Sequence, residues 1–128
     1  ADSNIMFLPS APHEWLLPRC CLAVHHGGAG TLAATLRAGL PTIVTPVAVD
    51  QFYWAKVINE KGLGVGTGEL KDLKGEHLTM AIRHCEKPEV VAAAKAAGET
   101  LMAEDGPGNA VKVVEGTLKI LRGGGDIK

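Results

Sequence analysis

Aromatic side chains are scarce in this chain: two Trp, two Phe and one Tyr among 128 residues. That scarcity disfavours the stacking platforms on which nucleic-acid bases are held. Charge of one sign is missing too. Lys and Arg number 13 against 14 Asp and Glu, so no net field draws the chain to nucleic acid or an anionic membrane. No apolar run reaches the ~18–20 residues of a membrane span, and no charged-then-apolar signal peptide opens the sequence. Cys20, Cys21 and Cys85 are an odd count without CxxC spacing, the pattern of reduced structural thiols in a cytosolic compartment. A zinc site from His77, His84 and Cys85 is disfavoured, because seven residues along a helix separate the two histidines too far for one ion.

Glycine, by contrast, is abundant, with 16 residues, and one glycine-rich run is the most informative stretch. His26-Gly27-Gly28-Ala29-Gly30-Thr31 follows the apolar run Cys21–Val24 and opens the helix-like Leu32–Ala38. A strand that turns through glycines into a helix N-terminus presents free N–H groups and the positive end of the helix dipole to an anion such as phosphate. The same six residues also fit an ordinary strand-to-helix turn with the histidines filling space. A helix and a strand later come Ala38-Gly39-Leu40-Pro41-Thr42-Ile43-Val44-Thr45-Pro46 and then Val49-Asp50-Gln51. That pair falls where open α/β sheets bind ligands, at the carboxyl ends of strands. Asp accepts and Gln both donates and accepts, which suits vicinal hydroxyls. Asp50 also fits an N-cap of the helix Gln51–Lys61.

The remaining segments alternate between strand and helix. Ile5–Leu8 is a strand candidate bounded by Pro9 and Pro12. Glu14–Leu17 forms a helical turn before strand Leu22–Val24 and helix Thr31–Ala38, which Gly39 ends. Strand Thr42–Thr45, helix Gln51–Lys61 with Gly62 as its stop, and the short strand Leu63–Gly66 follow. Gly64-Val65-Gly66-Thr67-Gly68 lacks the third glycine of a dinucleotide fingerprint and is assigned to turn chemistry. Helix Glu76–Glu86 carries Leu78, Ala81, Ile82 and Cys85 on one face, and Pro88 leads helix Glu89–Glu104. Asn109 is the expected cap of a last helix whose stripe of Val111, Val114, Leu118 and Leu121 is expected in the core. Residues 123–128 are expected to be a disordered tail. The resulting fold class is α/β: a Rossmann-like, open, mainly parallel sheet with helices on both sides.

Several segments together carry a family resemblance. Pro12-His13-Glu14-Trp15-Leu16-Leu17-Pro18-Arg19, Val24-His25-His26-Gly27-Gly28-Ala29-Gly30-Thr31, Ala38-Gly39-Leu40-Pro41-Thr42, and Asp50-Gln51 with Trp54 resemble the UDP-sugar-dependent glycosyltransferases of GT-B fold. Within them, the paired histidines and Ala103-Glu104-Asp105-Gly106 resemble the sterol 3-β-glucosyltransferase branch. The resemblance implies that His26 contacts the donor diphosphate, that Gly28, Ala29, Gly30 and Thr31 wrap the phosphates, and that Asp50 and Gln51 hold sugar hydroxyls. Ala11 and His13 fall in the segment that receives uracil and ribose. Ser10 and Ala34 stand where plant relatives place a uracil-stacking tryptophan and a ribose-binding glutamate. Pro46-Val47-Ala48-Val49 replaces the Pro-Phe-Phe-Gly usual before Asp-Gln in the sterol branch.

By this resemblance, residues 1–122 are a donor-binding domain, a partial GT-B C-terminal domain truncated on its N-terminal side. The intact enzyme would move glucose from UDP-glucose to a sterol or similar lipophilic hydroxyl with inversion, without a metal or other cofactor. It would be cytoplasmic, or peripheral to a membrane. The general base belongs to the N-terminal domain, so the chain alone is expected to be inactive. The alternative is a non-catalytic nucleotide-sugar-binding subunit that docks on a catalytic partner. In either case an uncovered sheet edge favours association with that partner or, as a homodimer, with a second copy.

Overall fold

The computed structural model describes residues 4–123. Three short parallel strands form the sheet: β1 (Ala23–His25), β2 (Thr42–Val44) and β3 (Gly64–Gly66), in the spatial order β1-β2-β3. Their register aligns Ala23 with Thr42 and Gly64, and His25 with Val44 and Gly66. Parallel strands need a crossover between them, and helices supply it. Here these are α2 (Ala29–Arg37) and α3 (Gln51–Lys61).

The central strand is buried on both faces, and its alternating side chains divide the core. Val44 packs with Leu32 of α2 and with Ala55 and Ile58 of α3. Ile43 points the other way, to Ala81 and Cys85 of α4 (Gly75–Cys85). Burial pushes the Cys85 thiol pKa up, against a smaller opposing hydrogen bond from the Val65 backbone. The sheet thus has helices on both sides, as expected. α5 (Pro88–Ala103) buries Val90, Ala94 and Gly98, a stripe at four-residue spacing, and packs on α2.

Helix α3 lies almost directly on β3. A Cβ added at Gly66 would sit 2.1 Å from the Ala55 carbonyl oxygen. One turn further along α3, the Asn59 side chain accepts from Gly66 N–H (2.9 Å) and donates to Gly66 C=O (3.0 Å). The adjacent ladder bonds run through Leu63 C=O and Thr67 N–H to β2, so Asn59 occupies the outward-facing groups of an edge strand. Among the described residues no third strand pairs with the far side of β1.

Three expectations need correction. Residues 5–8 form no strand; they are irregular and exposed, Phe7 to 91%. No other strand pairs with them among the described residues, and an isolated strand leaves its backbone groups unsatisfied by any ladder. The last helix, α6 (Gly106–Arg122), is capped by Asp105, whose carboxylate accepts from Gly108 N–H at 3.0 Å, and not by Asn109, which lies inside the helix. Its stripe of Val111, Val114, Leu118 and Leu121 is exposed, because no described element packs over it. Elsewhere, boundaries shift by one or two residues. The expected tail, beyond Gly123, lies outside the described residues. Among those described, no helix is long and apolar enough to cross a membrane.

Candidate functional site

The glycine turn leaves β1 at His25 and enters α2 at Ala29, with Gly28 as the N-cap residue. The first backbone bond of the helix is Leu32 N–H to Gly28 C=O at 2.9 Å. The N–H groups of Ala29, Gly30 and Thr31 therefore precede the helical ladder and face the turn, where the dipole favours an anion. Gly27 is buried with φ +94°, and a Cβ there would collide with Val44 Cγ1 at 2.6 Å. The exposed His26 ring folds over Gly28, with Nε2 only 2.6 Å from where a Cβ of residue 28 would be. That position admits no side chain while the ring stays there.

The same Gly27 contact carries the link to the second motif. Its would-be Cβ lies 3.6 Å from Gln51 Cα, the first residue of α3. Two segments 24 positions apart thus meet, and the N-termini of α2 and α3 lie side by side. Asp50 sits at the N-cap position of α3, yet its side chain caps nothing; Oδ2 accepts from the Trp54 indole N–H at 3.0 Å. The N-cap role is corrected accordingly. Gln51 Oε1 accepts from both Val47 and Ala48 N–H, at 2.8 and 2.9 Å. Its carbonyl braces the preceding loop, and its amide NH2 is the part left to meet a ligand.

In that braced loop Val49 adopts φ +54° while 88% exposed. A β-branched side chain is strained in the left-handed region, and nothing packs on it in compensation. Val49→Gly is therefore expected to raise stability by roughly 0.5–1 kcal/mol, the strain relieved less the greater freedom of unfolded glycine. An unchanged or lower urea midpoint would contradict this account.

His13 begins α1 (His13–Leu16), which packs beside α2. With Gly30 and Ala34 it lines a cleft of about 580 Å³ adjoining the glycine turn, and the half-buried Ala11 precedes it in the chain. The alanine at position 34 keeps that wall low. A second cleft, of about 520 Å³, is lined by residues including His77 and His84 and shares no residue with the first. Among the described residues, no group of three His, Cys, Asp or Glu is placed to hold a metal.

Sequence reasoning passed over His25. Its Nδ1 accepts from Gly27 N–H at 3.0 Å, and its Nε2 lies 2.8 Å from Thr42 Oγ1. Burial first, then the neighbouring His26 and His13 rings, push its pKa from 6.5 down to about 4. A polar partner on the next strand, seventeen positions away, is a signal no local pattern carries.

Parallel strands that run through tight turns into flanking helices define an α/β domain of the Rossmann-like kind. Residues 2–116 match the erythromycin biosynthesis protein CIII-like C-terminal domain, and the chain belongs to that glycosyltransferase family. It is 43% identical over 108 residues to a sterol 3-beta-glucosyltransferase of Arabidopsis thaliana, covering 84% of this chain and 18% of that protein. A second sterol 3-beta-glucosyltransferase, from Debaryomyces hansenii, is 40% identical over 114 residues, 88% of this chain and 7% of its own length. Among solved structures, glycosyltransferase VinC in complex with DTDP aligns with a TM-score of 0.75 and 31% identity, over 88% of this chain and 30% of VinC. Spinosyn forosaminyltransferase SpnP shares the fold at a TM-score of 0.82 and 20% identity, over 93% of this chain and 32% of its own. The fold is that of a GT-B glycosyltransferase domain, and the chain spans less than a third of each of these relatives.

Proposed function

We propose that the chain binds the nucleoside diphosphate of a sugar donor, UDP-glucose, for transfer to a sterol-like hydroxyl with inversion. The carrying observation is the pair of helix N-termini brought together at Gly27, with the Ala29, Gly30 and Thr31 amides and the His26 ring at one mouth. The diphosphate would sit there, with the nucleoside toward His13 and Ala34 and the hexose toward Asp50 and Gln51. In a direct displacement at the anomeric carbon, negative charge grows on the departing UDP. Fixed N–H donors and a helix dipole stabilise charge most where it develops, with no metal required. VinC, crystallised with DTDP, supports a nucleoside diphosphate at the site, and the sterol 3-beta-glucosyltransferase relatives support glucose and a sterol. The open β1 edge supports a neighbour: further domain, catalytic subunit or second copy.

UDP added to the isotopically labelled chain is expected to shift the amides of His26, Ala29, Gly30, Thr31 and Asp50. Binding to these 128 residues on their own should be weak, because an open site leaves the ordering cost of the ligand uncompensated. His26→Ala should weaken it further by about tenfold, the worth of one charge-assisted hydrogen bond. Shifts confined to residues after Glu76 would sink the proposal.

A further inference from the structure

His26 has a place in the donor reading; its neighbour His25 has none. We propose that His25 is a positioning residue, a two-ended strut that holds the glycine turn in its anion-ready shape by tying Gly27 to Thr42. The proposal rests on the donor-binding reading above.

The geometry leaves one arrangement of protons. Gly27 N–H donates to Nδ1, so Nδ1 is bare and the ring proton sits on Nε2, which then donates to Thr42 Oγ1. Thr42 is fully buried on the central strand. The strut therefore connects the most fixed part of the sheet to the most unusual residue of the turn. Gly27 is held from two sides, drawn by the imidazole and backed by Val44. Gly27 is buried at φ +94°, so loss of the imidazole acceptor would leave its N–H short of a partner. If Gly27 relaxed, Gly28 would shift with it, and the His26 ring and the amides that follow would lose their common direction.

A phenylalanine at position 25 keeps the ring and loses both hydrogen bonds. An asparagine offers Oδ1 where Nδ1 was, restoring the bond to Gly27 but not the reach to Thr42. The strut also exists only while the ring is neutral, since a second proton would occupy Nδ1. The titratable groups that bear on the ring are His26 on the turn and His13 on α1, while β2 presents the uncharged Thr42.

The test has two arms on the full chain. Without ligand, long-range proton–nitrogen correlations of the His25 ring should show the Nε2–H tautomer at pH 7. The Gly27 amide should move and exchange faster in His25→Phe, and revert in His25→Asn. With UDP, His25→Phe should lose about tenfold in affinity and His25→Asn should keep it within about threefold. Thr42→Val, which like His25→Asn keeps the Gly27 bond and loses the far one, should also stay within about threefold. An Nδ1–H tautomer overturns the strut, and it is read from the wild-type chain even if the phenylalanine variant does not fold. Equal UDP affinity in the wild type and His25→Phe overturns the positioning role. A wild-type chain with the expected tautomer but no affinity for UDP overturns the donor reading instead.

Discussion

A Gly66→Ala chain is expected not to fold. The added carbon would lie 2.1 Å from the Ala55 carbonyl oxygen and 2.7 Å from Ala55 Cα. Both are backbone atoms of α3, so no rotamer change relieves the contact and the whole helix must lift. Lifting it would expose Ile58 and Ala55, which with Leu32 and Val44 make one of the two core clusters. It would also part the Asn59 amide from Gly66. A cost above ~4 kcal/mol belongs to this kind of backbone collision with core disruption, and domains of this size have only about 5–15 kcal/mol in total. Gly68→Ala is the control, because nothing lies within 4 Å of its added carbon. Collapsed amide dispersion in the first variant and a native spectrum in the second is the expected result. A native spectrum for Gly66→Ala would mean that α3 does not press on β3 as described.

Acidification is the second large effect. The His25 pKa in the fold, about 4, lies below its ordinary 6.5, so the folded chain favours the neutral ring. As pH falls from 6.5 the unfolded chain takes up this proton first, and the equilibrium moves toward it. The contribution is whole above pH 6.5, declines through the window, and is gone below about 4. Urea midpoints measured over roughly pH 5–6.5, above the ordinary carboxylate range, should fall with pH in the wild type. They should be flatter in His25→Asn, which has no ring to protonate. A wild-type midpoint that stayed level over this interval would refute the neutral, half-buried state of His25.

Local punctuation made much of the fold legible. Pro41 and Pro46 bracket β2, and Gly62, at φ +65°, ends α3 where its stop signal stands. The glycine turn and Asp50-Gln51 were readable as the entries to α2 and α3, where the structure places them. What escaped was non-local. Ile5–Leu8 has the composition of a strand, but pairing depends on a neighbour that composition does not supply. The α6 stripe has a true helical period, yet periodicity names a face without naming what covers it. Asp50 stands at the cap position, while Trp54, one turn on, takes its carboxylate. His25 and Thr42 meet only because β1 lies beside β2.

The Asn59 clamp gives the sheet a direction of growth. One border is sealed by a side chain imitating a strand, with both outward groups of Gly66 already engaged. At the other border, among the described residues, no strand pairs with the outer side of β1. A strand added by fusion or by complementation with a separate polypeptide is expected beside β1. Grafts at the β3 border would first have to displace Asn59. This makes the domain an asymmetric building block, suited to being cut and rejoined along one side only.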